Sequence, residues 1–303
     1  MNSKAILLTV LPFACCCLTA QENSPVNYIN EQQPGMVARV FARGTISTDA
    51  HEHSAPAFSP DGKTVVWTIM KMPSYQTCLL EMNFVNNQWS APQSPSFSDT
   101  TFNEVYPNFS ANGDTLYFST DRTADTSSPR KNTLWYAVRQ PQGWSPAAVL
   151  DTTVFKKDAY ASSISNNGTR YFIIGPQGTM DWNIYQADNS GKISRLPAPI
   201  NSEGYEDGPF IAADESYLIF ESDRPTGIEG NLDLYIAFRK KDGSWAAPVN
   251  MGDKINTRFS ERFARVSPDG KYLFFGRNTG NDFDIYWINA AIIDELKNKV
   301  KLD

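Results

Sequence analysis

Short runs of apolar, β-branched and aromatic residues recur along this chain, each set off by a polar break rich in turn-forming residues. Thr64-Val65-Val66-Trp67 and Tyr272-Leu273-Phe274-Phe275 are two such runs, and each follows a Ser-Pro-Asp-Gly segment, at residues 59–62 and 267–270. A short alternating run precedes each segment. In the break, proline pre-sets φ, aspartate can bond its own backbone, and glycine supplies φ > 0. Strand, tight turn and strand predict a β-hairpin.

The hairpin is repeated in looser copies at residues 108–118, 163–173 and 210–220, the last with Glu215 in the glycine slot. The apolar residue before the turn is Phe58, Phe109, Ile164, Ile211 and Val266, at spacings of 51, 55, 47 and 55 residues. A period near fifty marks a repeat architecture. Each copy has a second half. A third strand is expected at Cys78-Leu79-Leu80, Leu134-Trp135-Tyr136, Trp182-Asn183-Ile184-Tyr185, Leu232-Asp233-Leu234-Tyr235 and Phe283-Asp284-Ile285-Tyr286. A proline-bearing edge strand then follows at Trp89-Ser90-Ala91-Pro92, Trp144-Ser145-Pro146, Leu196-Pro197 and Trp245-Ala246-Ala247-Pro248. Proline is tolerated there because an edge N–H needs no partner.

Four antiparallel strands per unit and five units predict an all-β fold, a single β-propeller of five blades over residues 36–303. Six blades are the alternative, if residues 21–50 build more than one strand. The last unit lacks its fourth strand. The segment Met36-Val37-Ala38-Arg39-Val40-Phe41 has strand character and is expected to supply it, closing the ring and removing exposed sheet edges. Residues 290–296 read as a short helix.

Composition narrows the function. The chain has 303 residues, 41% hydrophobic and 13% aromatic, enough for a large core. A formal net charge of −6 argues against nucleic acid and against electrostatic docking on anionic lipid. Residues 1–20 read as a signal peptide: Lys4 precedes an almost wholly apolar stretch, with a cleavage point expected after Ala20. The stretch is short for a membrane span. A periplasmic or secreted protein is expected, and a lipoprotein anchored through Cys15, Cys16 or Cys17 is the alternative. Cleavage after Ala20 leaves only Cys78, so no internal disulfide can form. Residues 21–35 form an N-terminal segment ahead of the propeller.

The hexapeptides Phe58-Ser59-Pro60-Asp61-Gly62-Lys63 and Val266-Ser267-Pro268-Asp269-Gly270-Lys271 resemble the PD40 repeat, the WD40-like repeat of TolB-type propellers. So do Ser119-Thr120-Asp121-Arg122 and Ser222-Asp223-Arg224, and Asp233-Leu234-Tyr235 and Asp284-Ile285-Tyr286. The resemblance covers about residues 36–288 and lacks the N-terminal α/β domain that TolB carries. It implies a propeller and is compatible with a periplasmic location.

The chemistry-bearing positions follow the same period. Glu104, Glu206 and Glu261 each stand nine residues before the turn slot. His53, with Glu52 beside it, takes that place in the first copy, and Ala159, with Asp158 beside it, in the third. Arg122, Arg224 and Arg277 follow the second strands. Acids and arginines are expected near one mouth of the channel. Two readings stay open: a ring that binds a polar ligand or a partner's loop, or repeated salt bridges that brace the blades. His51-Glu52-His53 lacks the four nitrogen or sulfur ligands of a closed zinc site, so solvated loop histidines and no metal are expected. No Gly-x-Ser-x-Gly elbow is present. The tryptophans Trp89, Trp144 and Trp245, and Trp135, Trp182 and Trp287, repeat with the strands and are expected to pack. Tyr75 and Met180 fall in variable loops and are candidates for ligand contact. The reading that results is a monomeric, non-catalytic binding or scaffolding module without a cofactor. Its expected partner is an envelope protein or peptide, or a small polar ligand such as an oligosaccharide. A carbohydrate-binding or carbohydrate-cleaving propeller is the alternative.

Overall fold

Five small antiparallel sheets surround a common channel in the computed structural model, which describes residues 28–122, 132–150, 159–175, 181–228, 232–280 and 282–303. Each sheet is one blade. In blade 2 the strands run from the channel outward as Glu104–Phe109, Thr115–Thr120, Thr133–Gln140 and Gly143–Trp144, with Ala148–Val149 also on the third strand. Blade 3 comprises Ala159–Ile164, Arg170–Ile174, Asn183–Ala187 and Ile193–Arg195. Blade 4 comprises Glu206–Ile211, Tyr217–Ser222, Asp233–Phe238 and Val249–Asn250. Blade 5 comprises Ser260–Val266, Tyr272–Asn278 and Phe283–Asn289. In blade 1 the inner strand is split into His51–Glu52 and Ala57–Phe58, ahead of Thr64–Lys71, Gln76–Val85 and Gln88–Trp89. The outer strands are only two or three residues long. In blade 2 the outer strand breaks at Pro146, which has no N–H to give the ladder.

The Ser-Pro-Asp-Gly turn is held by its own side chains. Ser59 Oγ donates to Asp61, the Lys63 N–H donates to Asp61 Oδ1 at 3.0 Å, and the Thr64 N–H donates to Ser59 Oγ at 2.9 Å. Gly62 supplies φ +66°. Ser267 and Asp269 repeat this pattern in blade 5. In blade 4, Glu215 takes the glycine place at φ +60°. That conformation costs a non-glycine residue roughly 1–2 kcal/mol. The side chain offsets it by tying blades 3 and 4: Glu215 Oε1 accepts from Ser165 Oγ at 3.0 Å and Asn167 Nδ2 at 3.1 Å, and Oε2 accepts from Arg239 at 3.0 Å.

The ring closes through the N-terminal segment. Arg39–Val40 pairs with the third strand of blade 5, Arg39 opposite Trp287 and Val40 opposite Tyr286. The Phe41 N–H extends the ladder to the Ile285 carbonyl at 2.8 Å. Ala42, at φ +46°, then turns the chain away, and residues 41–50 form tight turns and no further blade. An aromatic cluster locks the seam: Phe41 lies 4.9 Å from Phe274 and 5.0 Å from Trp287, ring centre to ring centre, and Tyr28 lies 5.2 Å from Phe58 of blade 1. Each such pair is worth about 0.5–1.5 kcal/mol beyond its buried area. The C-terminal helix, Ala291–Lys297, buries Ile292, Ile293 and Leu296 against blades 4 and 5. None of the helices among the described residues is long and apolar enough to cross a membrane. Residues 1–20, Asp158 and Met180 lie outside the described residues.

Candidate functional site

The repeating acids and arginines meet, blade by blade, as buried ion pairs. In blade 4, Arg224 Nη2 donates to Glu206 Oε1 at 2.9 Å and to the Ile200 carbonyl at 2.7 Å. In blade 5, Arg277 Nε donates to Glu261 Oε1 at 2.7 Å and Nη2 to the Ile255 carbonyl at 2.9 Å. In blade 2, Arg122 pairs with Glu104 and donates to the Phe97 carbonyl at 3.0 Å. The carboxylates are almost wholly buried, at 0–1% exposure, and the arginines nearly so, at 11–13%. Each glutamate also accepts from the loop that enters its blade: from the N–H of Asp99, Ser202 or Thr257, at 3.0 Å in each case. The pairs therefore tie the entering loop to the inner two strands of its own blade.

Blade 1 departs from the expected alignment. Its inner strand has one extra residue between the acid and the turn, so Glu52, not His53, stands in the acid's place. Glu52 Oε1 accepts from the Thr48 N–H at 3.2 Å and from Thr48 Oγ1 at 2.9 Å, as its counterparts do from their loops. Among the described residues no arginine faces it, and Oε2 has no partner. Burial, with some repulsion from Asp284 and Asp282, lifts its pKa to about 8. His53 is correspondingly displaced. It is not a solvated loop residue. Its ring packs against Tyr106, Phe263 and Phe283 at 5.7, 5.5 and 6.1 Å, and its Nε2 lies 3.2 Å from the Tyr106 hydroxyl. Burial, reinforced by the Arg262 charge, holds the imidazole neutral, with its pKa lowered to about 3. Among the described residues, no three His, Cys, Asp or Glu side chains come together as a metal set.

The residue after each acid varies between blades, and here the structure builds something the repeats did not foretell. Arg262 of blade 5 reaches across to blade 4. Its Nη2 donates to Asp207 Oδ2 at 3.0 Å and to the Tyr205 hydroxyl at 3.1 Å, and its Nε pairs with Glu221. Tyr205 in turn donates to Asp207. Burial lifts Glu221 to about 8 against the pull of Arg262. One signal was present in the sequence: Asp207 and Arg262 are opposite charges in equivalent places of neighbouring repeats.

Two residues past each acid, the inner strands bulge. Tyr106, Gly208 and Phe263 adopt φ of +58°, +55° and +52°, and the register shifts there in blades 2, 4 and 5. The bulge throws Tyr106 and Phe263 toward each other, with ring centres 4.7 Å apart. With His53 they narrow the channel at mid-height.

Beyond this constriction, toward the turns, lies a cavity of about 280 Å³. The inner hairpins of all five blades line it, through residues such as Phe58, Asn108, Ile164, Phe210 and Arg265. Its rim is exposed, at Pro60, Ala111, Asn166, Ala213 and Pro268. Arg265 also lines a void of about 20 Å³ shared with Tyr106 and Phe263. It therefore stands at the floor, above the constriction. No tryptophan among the described residues lines this cavity, although Trp144 borders a separate open pocket beside Arg122. Trp144 and Trp245 are buried, under Arg139 and Arg239 at 4.5 and 4.0 Å, and Trp287 belongs to the seam. Tyr75 is exposed on an outer loop at φ +58°, away from the cavity.

No family model and no curated protein sequence matches the chain. Among solved structures, it is similar to a TolB-designated protein from Agrobacterium tumefaciens, at 19% identity and a TM-score of 0.53, over 78% of this chain and 76% of that one. It is also similar to an endo-arabinase from Bacteroides thetaiotaomicron, at 16% identity and 0.52, over 80% and 95%. A thermostable family-43 glycoside hydrolase matches at 13% and 0.51, over 81% and 90%. At such identities the likeness is one of fold.

Proposed function

We propose that this protein is an exported binding module that receives its ligand in the turn-side cavity and does not cleave it. The observation that carries the reading is the cavity itself: a pocket lined by every blade, open at an exposed rim and narrowed below by Tyr106, Phe263 and His53. A cavity of this kind is the default binding-site hypothesis in a structure of unknown function. The acids argue in the same direction. Glycoside hydrolysis needs two carboxylates free to face a sugar. Glu104, Glu206 and Glu261 are held by their arginines and entering loops, and Asp207 and Glu221 by Arg262. In this reading the acid–arginine set braces the blades, and the opposite mouth does the binding. Export rests on the leader character of residues 1–20, and the partner is an envelope protein, a peptide or a small polar ligand.

The test is capture from an envelope extract with wild-type protein and with an Ala111→Trp, Ala213→Trp double variant, which fills the rim. A bound partner or ligand lost in the variant, at unchanged melting temperature, supports the reading. Capture indifferent to the plug overturns it. So does release of reducing ends from polysaccharide by the wild type, which would make the chain a carbohydrate-cleaving propeller.

A further inference from the structure

Among the described residues Arg265 is the charged residue that lines the cavity, and none of them gives it a counter-ion. Its Nη1 donates to Asn108 Oδ1 across the channel. Its Nε is buried without a partner, and among the described residues nothing accepts from Nη2. No aspartate or glutamate lines the cavity. The contrast with the other channel arginine is direct: Arg262, three residues earlier on the same strand, has two carboxylates and a tyrosine hydroxyl. Desolvation alone, with no carboxylate to oppose it, lowers the Arg265 pKa to about 10. A guanidinium at that value is still charged at neutral pH. An unpaired charge in such a place destabilises the fold, a kind of cost that proteins carry at functional sites.

We infer that Arg265 is the anchor of a carboxylate site, and that the cavity takes a small ligand bearing one carboxylate on an apolar body. This rests on the binding-module reading above and names the ligand chemistry of the same cavity. Nη2 is unpartnered among the described residues and keeps accessible surface at the cavity, so it is the donor that a ligand carboxylate meets in a charge-assisted hydrogen bond, while Nε beside it is buried. Asn108 holds the opposite side of the fork and so orients it without neutralising it. The lining has a single cation and no second positive group, which matches one negative charge and leaves a phosphate dianion half-neutralised. The remaining walls are mixed: Phe58, Phe210 and Val266 offer apolar surface to the ligand body, and Ser110, Asn166 and Ser267 offer neutral polar groups nearer the rim.

Two sources present this chemistry, a free organic acid and the carboxy-terminus of a peptide, and calorimetric titration separates them. The probes are hexanoate and 4-phenylbutyrate with their primary amides, and a tetrapeptide ending in phenylalanine with a free or an amidated terminus. At least one acid is expected to bind at least tenfold more tightly than its amide, and the tighter arm identifies the source. Arg265→Met should abolish that preference. Asn108→Asp should abolish it too, by giving the guanidinium a carboxylate of its own. Both variants should melt at or above the wild-type temperature, because Arg265→Met removes the unpaired charge and Asn108→Asp pairs it, so lost binding is not lost folding. Acids and amides that bind alike, no binding by any probe, or full acid binding by Arg265→Met would each overturn the assignment. Envelope capture that survives Arg265→Met but not the rim plug would remove the carboxylate site and leave the binding module standing.

Discussion

Replacing Glu206 by alanine tests whether the repeating acids hold the blades together. The side chain is fully buried and accepts from the Ser202 N–H and hydroxyl, from Ser222 Oγ at 3.2 Å and from Arg224 at 2.9 Å. Truncation removes these acceptors and leaves a guanidinium that is 12% exposed without its carboxylate. Arg224 keeps the Ile200 carbonyl and its place over the Phe220 and Tyr235 rings at 5.1 and 5.2 Å, so it is anchored but not neutralised. Breaking a buried pair from one side costs about 3–5 kcal/mol. For a domain of this size each kcal/mol moves the melting temperature by roughly 2–4 °C, so a fall of roughly 6–20 °C is expected by scanning calorimetry. Glu206→Gln keeps an acceptor and should fall less. Adding Arg224→Met to Glu206→Ala removes the orphaned charge and should recover part of the loss. A melting temperature for Glu206→Ala equal to wild type would refute the brace and return the acid to the ligand-binding reading.

Two further changes probe the channel. His53 stays neutral in the folded chain, with its pKa lowered from 6.5 to about 3, whereas the unfolded chain takes up the proton as pH falls below 6.5. Its contribution is therefore complete above 6.5 and is lost as pH falls toward 3. His53→Phe should reduce the drop in urea stability between pH 7 and pH 5 by up to about 2 kcal/mol, and an equal drop in both proteins would contradict the burial argument. Gly208→Ala should destabilise by about 1–3 kcal/mol in the same assay. Two costs add: the backbone is held at φ +55°, which strains a non-glycine residue as at Glu215, and a Cβ would clash with Glu221 Oε1 and disturb its pairing with Arg262. A neutral Gly208→Ala would show that this corner relaxes freely.

The repeats made the acid–arginine pairs legible because three of the five blades carry them at the same places. Glu104, Glu206 and Glu261 share a spacing to the turn, and Arg122, Arg224 and Arg277 follow the second strands, so their meeting is a local matter of two adjacent strands. The first copy misled for an equally local reason. Alignment on the turn cannot see one extra residue in the split inner strand of blade 1, and it put His53 where Glu52 belongs. Arg265 carried no signal at all. It sits beside Val266 in a strand that reads as ordinary, and what distinguishes it is what its neighbours lack.

Turn chemistry, the alternation behind it and a period near fifty are properties of contiguous residues. They determined a propeller, its hairpins and its closure by residues near Arg39–Val40, with five blades expected and six left open, because each blade is one local unit that cannot bury its own faces. Which side chains meet across the channel depends on bulges and on the angle between blades, which join residues far apart in the chain. Arg262 finds Glu221 and Asp207, His53 finds Tyr106 and Phe263, and Arg265 finds Asn108, 157 residues away, and no acid. Only the tertiary structure decided those partners, because the channel is made by the ring and by no single repeat.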